Sequence, residues 1–434
     1  MLHFFMERTV YIKTFGCQMN VHDSEKILGI MEKQGYTATD NVGNADIVIF
    51  NTCSIRQKAE QKFYSELGRI KSLKKKRPGT RIIVAGCIAQ QEGEKIFKHA
   101  PHVDMVFGPE NIHALGTMAA QKTPIVAVHG NPAIALHDLP VKRGDGARAW
   151  VTIMYGCNNY CSYCIVPFTR GRERSRPSAN IRAEVEELAR MEYKEVTLLG
   201  QNVNSYRSDI GFSALLEMLD AIQGIERIRF VTSHPRDLSD ELISAISSLH
   251  SVCEHIHLPI QSGSSRILHR MNRGYSYDQY LEGIEKLRRK VPGIAITTDI
   301  IAGFPGETEG DHKATMSALR EIEFDGIFAF KYSERPWTKA AEMDDQVAEG
   351  IKANRLNEIL LIQDKITSGK NKLLEGTIQE ILIEGRSETD RNKMSGRTRT
   401  NKIVNVAGNG YTKGSMVSVR IIRGRKHSLE GKPL

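Results

Sequence analysis

Seven cysteines stand in this 434-residue chain, and six of them sit where their spacing could do chemistry. Cys157, Cys161 and Cys164 form a C-x3-C-x2-C run in "YGCNNYCSYC", directly after an apolar stretch that reads as a strand. Tetrahedral zinc uses four ligands, commonly drawn from two close Cys or Cys/His pairs. No second pair lies nearby, although His234, His255 and His257 follow later strands and keep zinc open as an alternative. A four-iron cluster accepts thiolates and, held by only three, leaves one iron for another ligand. The run is read first as a cluster loop, with zinc and structural thiols as the competing readings.

Cys17, Cys53 and Cys87 are 36 and 34 residues apart, and each closes an apolar segment: "VYIKTFGC", "ADIVIFNTC" and "RIIVAGC". An amphipathic helical pattern follows each one. This strand–helix alternation over residues 8–123 predicts a doubly wound parallel sheet. Ligands in such sheets bind beyond the carboxyl ends of the strands, where all three thiols fall. They could converge on one cluster, or be core cysteines that happen to end strands. Cys253, in "SVCEHIH", reads as a small buried hydrophobe.

A Pro-punctuated stretch over 124–146 reads as a linker. Between 147 and 366 six strand candidates alternate with helical patterns: "RAWVTIMY", "EVTLLGQ", "RIRFVTS", "CEHIHLPI", "GIAITTDIIAG" and "GIFAFKYS". Six βα units are too few for a closed eight-stranded barrel, so an open partial (β/α)6 barrel is expected, with chemistry at its strand C-termini. Residues 367–430 show short alternating strands with Gly-rich turns, predicting a small β-barrel in which "SGRTRTNK" is a basic loop.

The net charge is +9, and residues 367–434 alone carry 14 Lys/Arg against six Asp/Glu. That placement suits a nucleic-acid footprint, with plain solubility as the alternative. No apolar run reaches the roughly 18–20 residues of a membrane span, and the start lacks the pattern of a secretory signal. A reducing cytoplasm, with thiols as metal ligands and no disulfides, is the natural setting.

"CNNYCSYC" on a partial barrel resembles the radical S-adenosylmethionine (SAM) superfamily. "TFGCQMN", "FNTCSIRQKAEQK", "AGCIAQ", "LLGQNVNSY", "TSHPRDLSDELISAI", "LPIQSGSSRIL", "MNRGYS" and "TTDIIAGFPGET" extend the likeness over essentially the whole chain. Together they resemble the methylthiotransferases, whose layout is an N-terminal methylthiotransferase domain, a radical SAM core and a C-terminal TRAM domain. "NTCSIR", "GQNVNSY" and "SGRTRTNK" look most like the branch that modifies dimethylallyladenosine in tRNA. Other branches act on threonylcarbamoyl-adenosine or a ribosomal-protein aspartate. A zinc-stabilised tRNA-binding module is the alternative from another class.

The resemblance implies two 4Fe-4S clusters. Cys157, Cys161 and Cys164 would hold one, with SAM chelating its open iron. Cys17, Cys53 and Cys87 would hold an auxiliary one that supplies sulfur. One SAM would donate a methyl group, and a second the 5′-deoxyadenosyl radical that attacks carbon 2 of the adenine. An unactivated aromatic C–H is out of reach of a side-chain base, which makes a radical route physically reasonable. Tyr163 matches the superfamily's contact to the SAM adenine, with core packing as the other reading. Gly200 and Gln201 end the second strand, where the SAM amino group is held. Ser233, Gln261 and Asp299 follow later strands as further SAM contacts, or as capping residues. Arg170, Arg172, Arg174 and Arg176 could serve SAM, tRNA or solvent. Arg397, Arg399 and Lys402 are the tRNA-phosphate candidates, directed at the anticodon stem-loop. An electron donor and cluster-repair proteins are expected partners, with no membrane, and the chain is expected to be a monomer. One departure stands out: relatives typically show "YSxRxGT", and this chain has "YSERPWT", with Trp337 at the glycine position.

Overall fold

A computed structural model describes residues 8–434 apart from 55, 56, 122, 123, 145 and 409, and apart from the side chains of 57–59. The boundary expected at residue 123, Asp145 of the expected linker, and Ile55 and Arg56 of "NTCSIR" lie outside the described residues. Two compact units result, and they interleave along the chain. One comprises Met1–Gly144, Met154–Asn158 and Ile165–Arg176; the other comprises Asp145–Ile153, Asn159–Cys164 and Pro177–Leu434.

In the first unit the elements run β1 (Arg8–Thr14), α1 (Gln18–Lys33), β2 (Tyr36–Ala38), β3 (Ile47–Thr52), α2 (Gln57–Lys76), β4 (Arg81–Gly86), α3 (Cys87–Glu92), α4 (Lys95–His99), β5 (Met105–Phe107), α5 (Leu115–Met118) and β6 (Ile125–Ala127). All six strands are parallel, in the order β2-β1-β3-β4-β5-β6. Every residue of β3 is buried, as a strand covered on both faces requires. Ile27, Ile30 and Met31 of α1 pack on one face of the sheet, while Phe63 and Leu67 of α2 and Ile88 of α3 pack on the other. The doubly wound architecture is as expected. β6 falls inside the stretch read as linker, because a three-residue strand beside a proline carries no periodicity to detect.

The chain continues through β7 (Arg148–Thr152), β8 (Met154–Tyr155), α6 (Val166–Arg170), β9 (Arg174–Ser175), α7 (Ser178–Arg190), β10 (Glu195–Leu199), α8 (Phe212–Asp220), β11 (Arg227–Phe230), α9 (Asp240–Ser248), β12 (His255–His257), α10 (Ser265–Arg270), α11 (Tyr277–Lys290), β13 (Ala295–Ala302), α12 (Glu309–Ile322), β14 (Gly326–Lys331) and α13 (Glu349–Lys372). β8 and β9 form a short antiparallel pair and, with α6, belong to the first unit. In the second unit β7, β10 and β11 form one parallel ladder, and β12, β13 and β14 another. A single bridge between Ile228 and Val252 joins them, giving six parallel strands that do not close. Capping boxes at Ser276/Gln279 and Thr308/Asp311 start α11 and α12, satisfying amides the helix cannot.

The C-terminal strands β15 (Ile378–Arg386), β16 (Lys393–Thr398), β17 (Ile403–Ala407), β18 (Met416–Gly424) and β19 (Leu429–Pro433) close into a barrel in the order β15-β16-β17-β19-β18. Ile381, Ile383, Val404, Val406, Val419 and Ile421 fill it. "SGRT" is not loop but the last four residues of β16. Gly396 there faces the neighbouring strand so closely that a Cβ would stand 2.6 Å from the Leu382 carbonyl oxygen. Among the described residues no helix is long and apolar enough to cross a membrane.

Candidate functional site

The first unit brings its three thiols to adjacent strand ends. Cys17 is the N-cap of α1, a position whose dipole favours a thiolate. Cys53 follows β3, and Cys87 opens α3 directly after β4. Two glycines let the backbones come this close. A Cβ on Gly16 (φ +109°) would stand 2.1 Å from the Cys53 Cβ, and one on Gly86 (φ +91°) would stand 2.4 Å from the Thr52 carbonyl oxygen. Buried amides fix the spacing: Asn20 Nδ2 donates to the Thr52 carbonyl (2.7 Å), and Asn51 Nδ2 donates to the Asn20 carbonyl (2.8 Å) and to Ser24 Oγ (3.0 Å). A hydrogen bond from Cys53, outweighing burial, lowers the Cys17 thiol to about 6. Burial pushes the Cys87 thiol up against the pull of Arg170. Three soft donors just past separate strands fit a multi-iron cluster with three protein ligands. Among the described residues no group of three His, Cys, Asp or Glu is set to hold a single metal ion.

Of the second run, Cys157 lies in the first unit, and Cys161 and Cys164 lie in the second. Cys157 N donates to the Gly171 carbonyl (3.2 Å) within the first unit, and Cys164 N donates to the Cys161 carbonyl (2.9 Å), which closes a turn over 161–164 in the second. Arg273, buried in the second unit, donates to Cys161 Sγ (3.2 Å), Tyr163 Oη (3.4 Å), the Pro259 carbonyl (3.0 Å) and Tyr275 Oη (3.1 Å). It was not singled out from the sequence, although "MNRGYS" contains it. Tyr163 packs beside Phe304 in a small apolar cluster. The loops after β10 and β11 are tied by Asn204, which donates to the His234 carbonyl and accepts from His234 N. Gly200 is buried at the end of β10, with Gln201 half-buried beside it. Gln261 N donates to the Asp299 carbonyl (2.9 Å), and the Asp299 carboxylate lies 3.4 Å from His257 Nε2.

Left-handed backbones and unpaired buried polar atoms, which also occur elsewhere among the described residues, stand at these strand ends. Thr232 (φ +70°) and Gln261 (φ +71°) hold left-handed backbones that a side chain resists. Ser233 Oγ and His234 Nε2 are buried without hydrogen-bond partners among the described residues. Orphaned polar atoms are rare in a finished core, so they fit a face that receives a polar ligand. On the same sheet Phe328 and Phe330 are 55% and 42% exposed, which is unusual for rings on a strand. Trp337 holds a left-handed backbone at φ +66°, a conformation that glycine adopts more readily.

Residues 9–108 match the model of an uncharacterized protein family, UPF0004, residues 151–319 match the radical SAM superfamily, and residues 372–434 match the TRAM domain. The chain is 54% identical over 426 residues to the tRNA-2-methylthio-N(6)-dimethylallyladenosine synthase of Thermodesulfovibrio yellowstonii, covering 98% of each chain. It is 47% identical to the synthases of Clostridium botulinum and Carboxydothermus hydrogenoformans, covering 98% of this chain and 96% and 99% of theirs. The chain belongs to this methylthiotransferase family. It is therefore a radical SAM enzyme, with a TRAM domain at its C-terminus. Among solved structures, the radical SAM methyltransferase TsrM from Kitasatospora setae shares the fold at 14% identity (TM-score 0.57, 77% of each chain). The cobalamin-dependent radical enzyme OxsB does so at 12% (TM-score 0.53, 82% of this chain and 56% of that one).

In this methylthiotransferase the TRAM cations read from the sequence as phosphate contacts are engaged within the second unit. Arg399 pairs with Glu254 (2.8 Å) and donates to the His250 and Val252 carbonyls (2.9 and 2.7 Å). Arg397 pairs with Glu384 (3.0 Å), and Lys402 lies 3.3 Å from Asp325 and 3.0 Å from Asn371 Oδ1. Two arginines of β11 meet this turn from the barrel side. Arg227, wholly buried, donates to the Arg397 carbonyl (2.6 Å), and Arg229 donates to the Thr398 and Arg399 carbonyls (both 2.7 Å). Charge composition cannot tell a docking cation from a free one. "TRGRERSR" is similar: Arg170 pairs with Asp23 (2.9 Å), Arg174 with Glu110, and Arg176 with Asp138 (3.3 Å), while Arg172 is exposed.

Proposed function

We propose that this chain adds a methylthio group to carbon 2 of N(6)-dimethylallyladenosine beside the tRNA anticodon. The observation that carries the reading is the trio Cys17, Cys53 and Cys87, gathered at neighbouring strand ends by Gly16 and Gly86, in a chain that also has the radical SAM run. Cys157, Cys161 and Cys164 would hold one four-iron cluster with SAM on its open iron, and the amino-terminal trio a second. When bound, these groups supply the electron that cleaves SAM, the carbon-centred radical that follows, and the sulfur.

The protein's own share is positioning. Ser233 and His234 would offer their unpaired buried polar atoms to a ligand, and Gly200 and Gln201 after β10, Gln261 after β12 and Asp299, which lies within β13 and not after it as expected, would meet SAM's amino, carboxylate and ribose groups. Tyr163 supports SAM's adenine from its apolar cluster. Phe328 and Phe330 offer ring faces on which a splayed loop base and its apolar N(6) substituent can stack. Residues 8–123 form the sulfur-donating domain, 147–366 the radical core and 367–430 the tRNA-gripping domain, in a monomer of the cytoplasm served by an electron donor and repair proteins. With Arg397, Arg399 and Lys402 engaged internally, tRNA phosphate falls to exposed cations such as Arg420 and Lys432, which are cross-strand partners on β18 and β19.

Nucleoside mass analysis of tRNA from cells with and without the chain is the test. Loss of the 2-methylthio derivative of isopentenyladenosine alone is the expected outcome; loss of the threonylcarbamoyl derivative instead would move the substrate. Anaerobically purified protein should carry about eight irons, and a colourless protein with stoichiometric zinc would end the reading.

A further inference from the structure

The reading of Cys17, Cys53 and Cys87 as a cluster site leaves one charged group there without a task. Arg170 ends α6, only six residues after Cys164, and α6 packs against α3, the helix that Cys87 opens. Its side chain is buried, with 5% of the residue exposed, and it ion-pairs with Asp23 (2.9 Å), which is itself 2% exposed on α1 six residues past Cys17. The guanidinium is thus a buried positive charge paired to the helix that Cys17 caps and carried on a helix packed against the one that Cys87 opens.

A buried ion pair contributes little to stability compared with an apolar replacement of the same shape. This pair also stands between elements that carry two of the three thiols, since Asp23 is on α1 after Cys17 and α6 packs on α3, which begins at Cys87. Three thiolates around a cluster core leave net negative charge, and each added electron deepens it. A fixed cation in a dry site is the strongest available counterweight.

We propose that Arg170 is the counter-ion of the amino-terminal cluster, that it sets the cluster's reduction potential, and that Asp23 attenuates it. The inference rests on the cluster reading. Its signature is a pair of shifts with opposite sign. Arg170→Gln removes the cation and makes reduction harder, so the potential falls. Asp23→Asn removes the attenuating anion and makes reduction easier, so the potential rises. Arg170→Lys keeps the charge and stays near the parent value. A purely structural pair would be damaged in the same sense from either side.

The experiment uses the full-length chain with Cys157, Cys161 and Cys164 replaced by alanine, reconstituted anaerobically, so that only the amino-terminal cluster contributes. Iron content is measured first, then potentiometric titration is followed by electron paramagnetic resonance. A background protein that holds no cluster removes the cluster reading, and the inference with it. A cluster whose potential is the same in Arg170→Gln and Asp23→Asn overturns the inference alone. Loss of the cluster in Arg170→Gln with retention in Arg170→Lys and Asp23→Asn supports it. Loss in all three variants marks the pair as a folding element and overturns it.

Discussion

The two cysteine trios reach the same donor count by opposite routes. Cys157, Cys161 and Cys164 occupy eight consecutive residues, and a local turn sets the last two. Cys17, Cys53 and Cys87 span 71 residues, and only the finished sheet brings β1, β3 and β4 side by side. One site is written in the loop and the other in the fold. Metal binding to the dispersed site is therefore coupled to folding of its unit. The turn that holds Cys161 and Cys164 can keep their spacing even when distant packing loosens.

The largest effect expected from this difference is on iron content. Cys53→Ala should remove about four irons and leave about four, keeping SAM cleavage while abolishing sulfur insertion; Cys161→Ala should remove SAM cleavage as well. Iron assay and 5′-deoxyadenosine release separate the two. Gly16→Ala comes next. Its added methyl collides with Cys53 from a left-handed backbone, so the unit should lose about 3 kcal/mol and its cluster. Retention of all the iron in this variant would break the comparison. Asn51→Ala strips partners from Asn20 and Ser24 and should cost about 2–3 kcal/mol in a denaturant titration. It should release amino-terminal iron at lower denaturant than barrel iron. The smallest effect belongs far from both trios: Trp337→Gly relieves a left-handed side chain, for a gain of about 1 kcal/mol and unchanged iron.

Legibility followed the same division. β1, β3 and β4 could be read because each is long, apolar and closed by a cysteine, and the six barrel strands because helical patterns separate them. β2, β5 and β6, three residues each, carry too little pattern to register. The cysteines could be found by spacing or by repetition. Their supports could not: Arg170, Asp23, Asn20 and Asn51 are ordinary polar residues until the fold closes over them. Arg397, Arg399 and Lys402 were read from composition, which records charge and not its counter-charge. Glu254, Glu384 and Asp325 answer them from 145, 13 and 77 positions away. "RIRF" held the missing signal, since two arginines alternating with apolar residues on one strand must face something able to accept them.

Arg227 and Arg229 grip the C-terminal barrel through the Glu380, Arg397, Thr398 and Arg399 carbonyls, and Arg227 also pairs with the Glu380 carboxylate (3.2 Å). Amino acids at 397–399 can thus be exchanged with little cost to that grip, whereas inserting or deleting one residue would carry every acceptor out of reach. For that grip the turn's length counts more than its spelling, while Arg399 is held to its identity separately by Glu254.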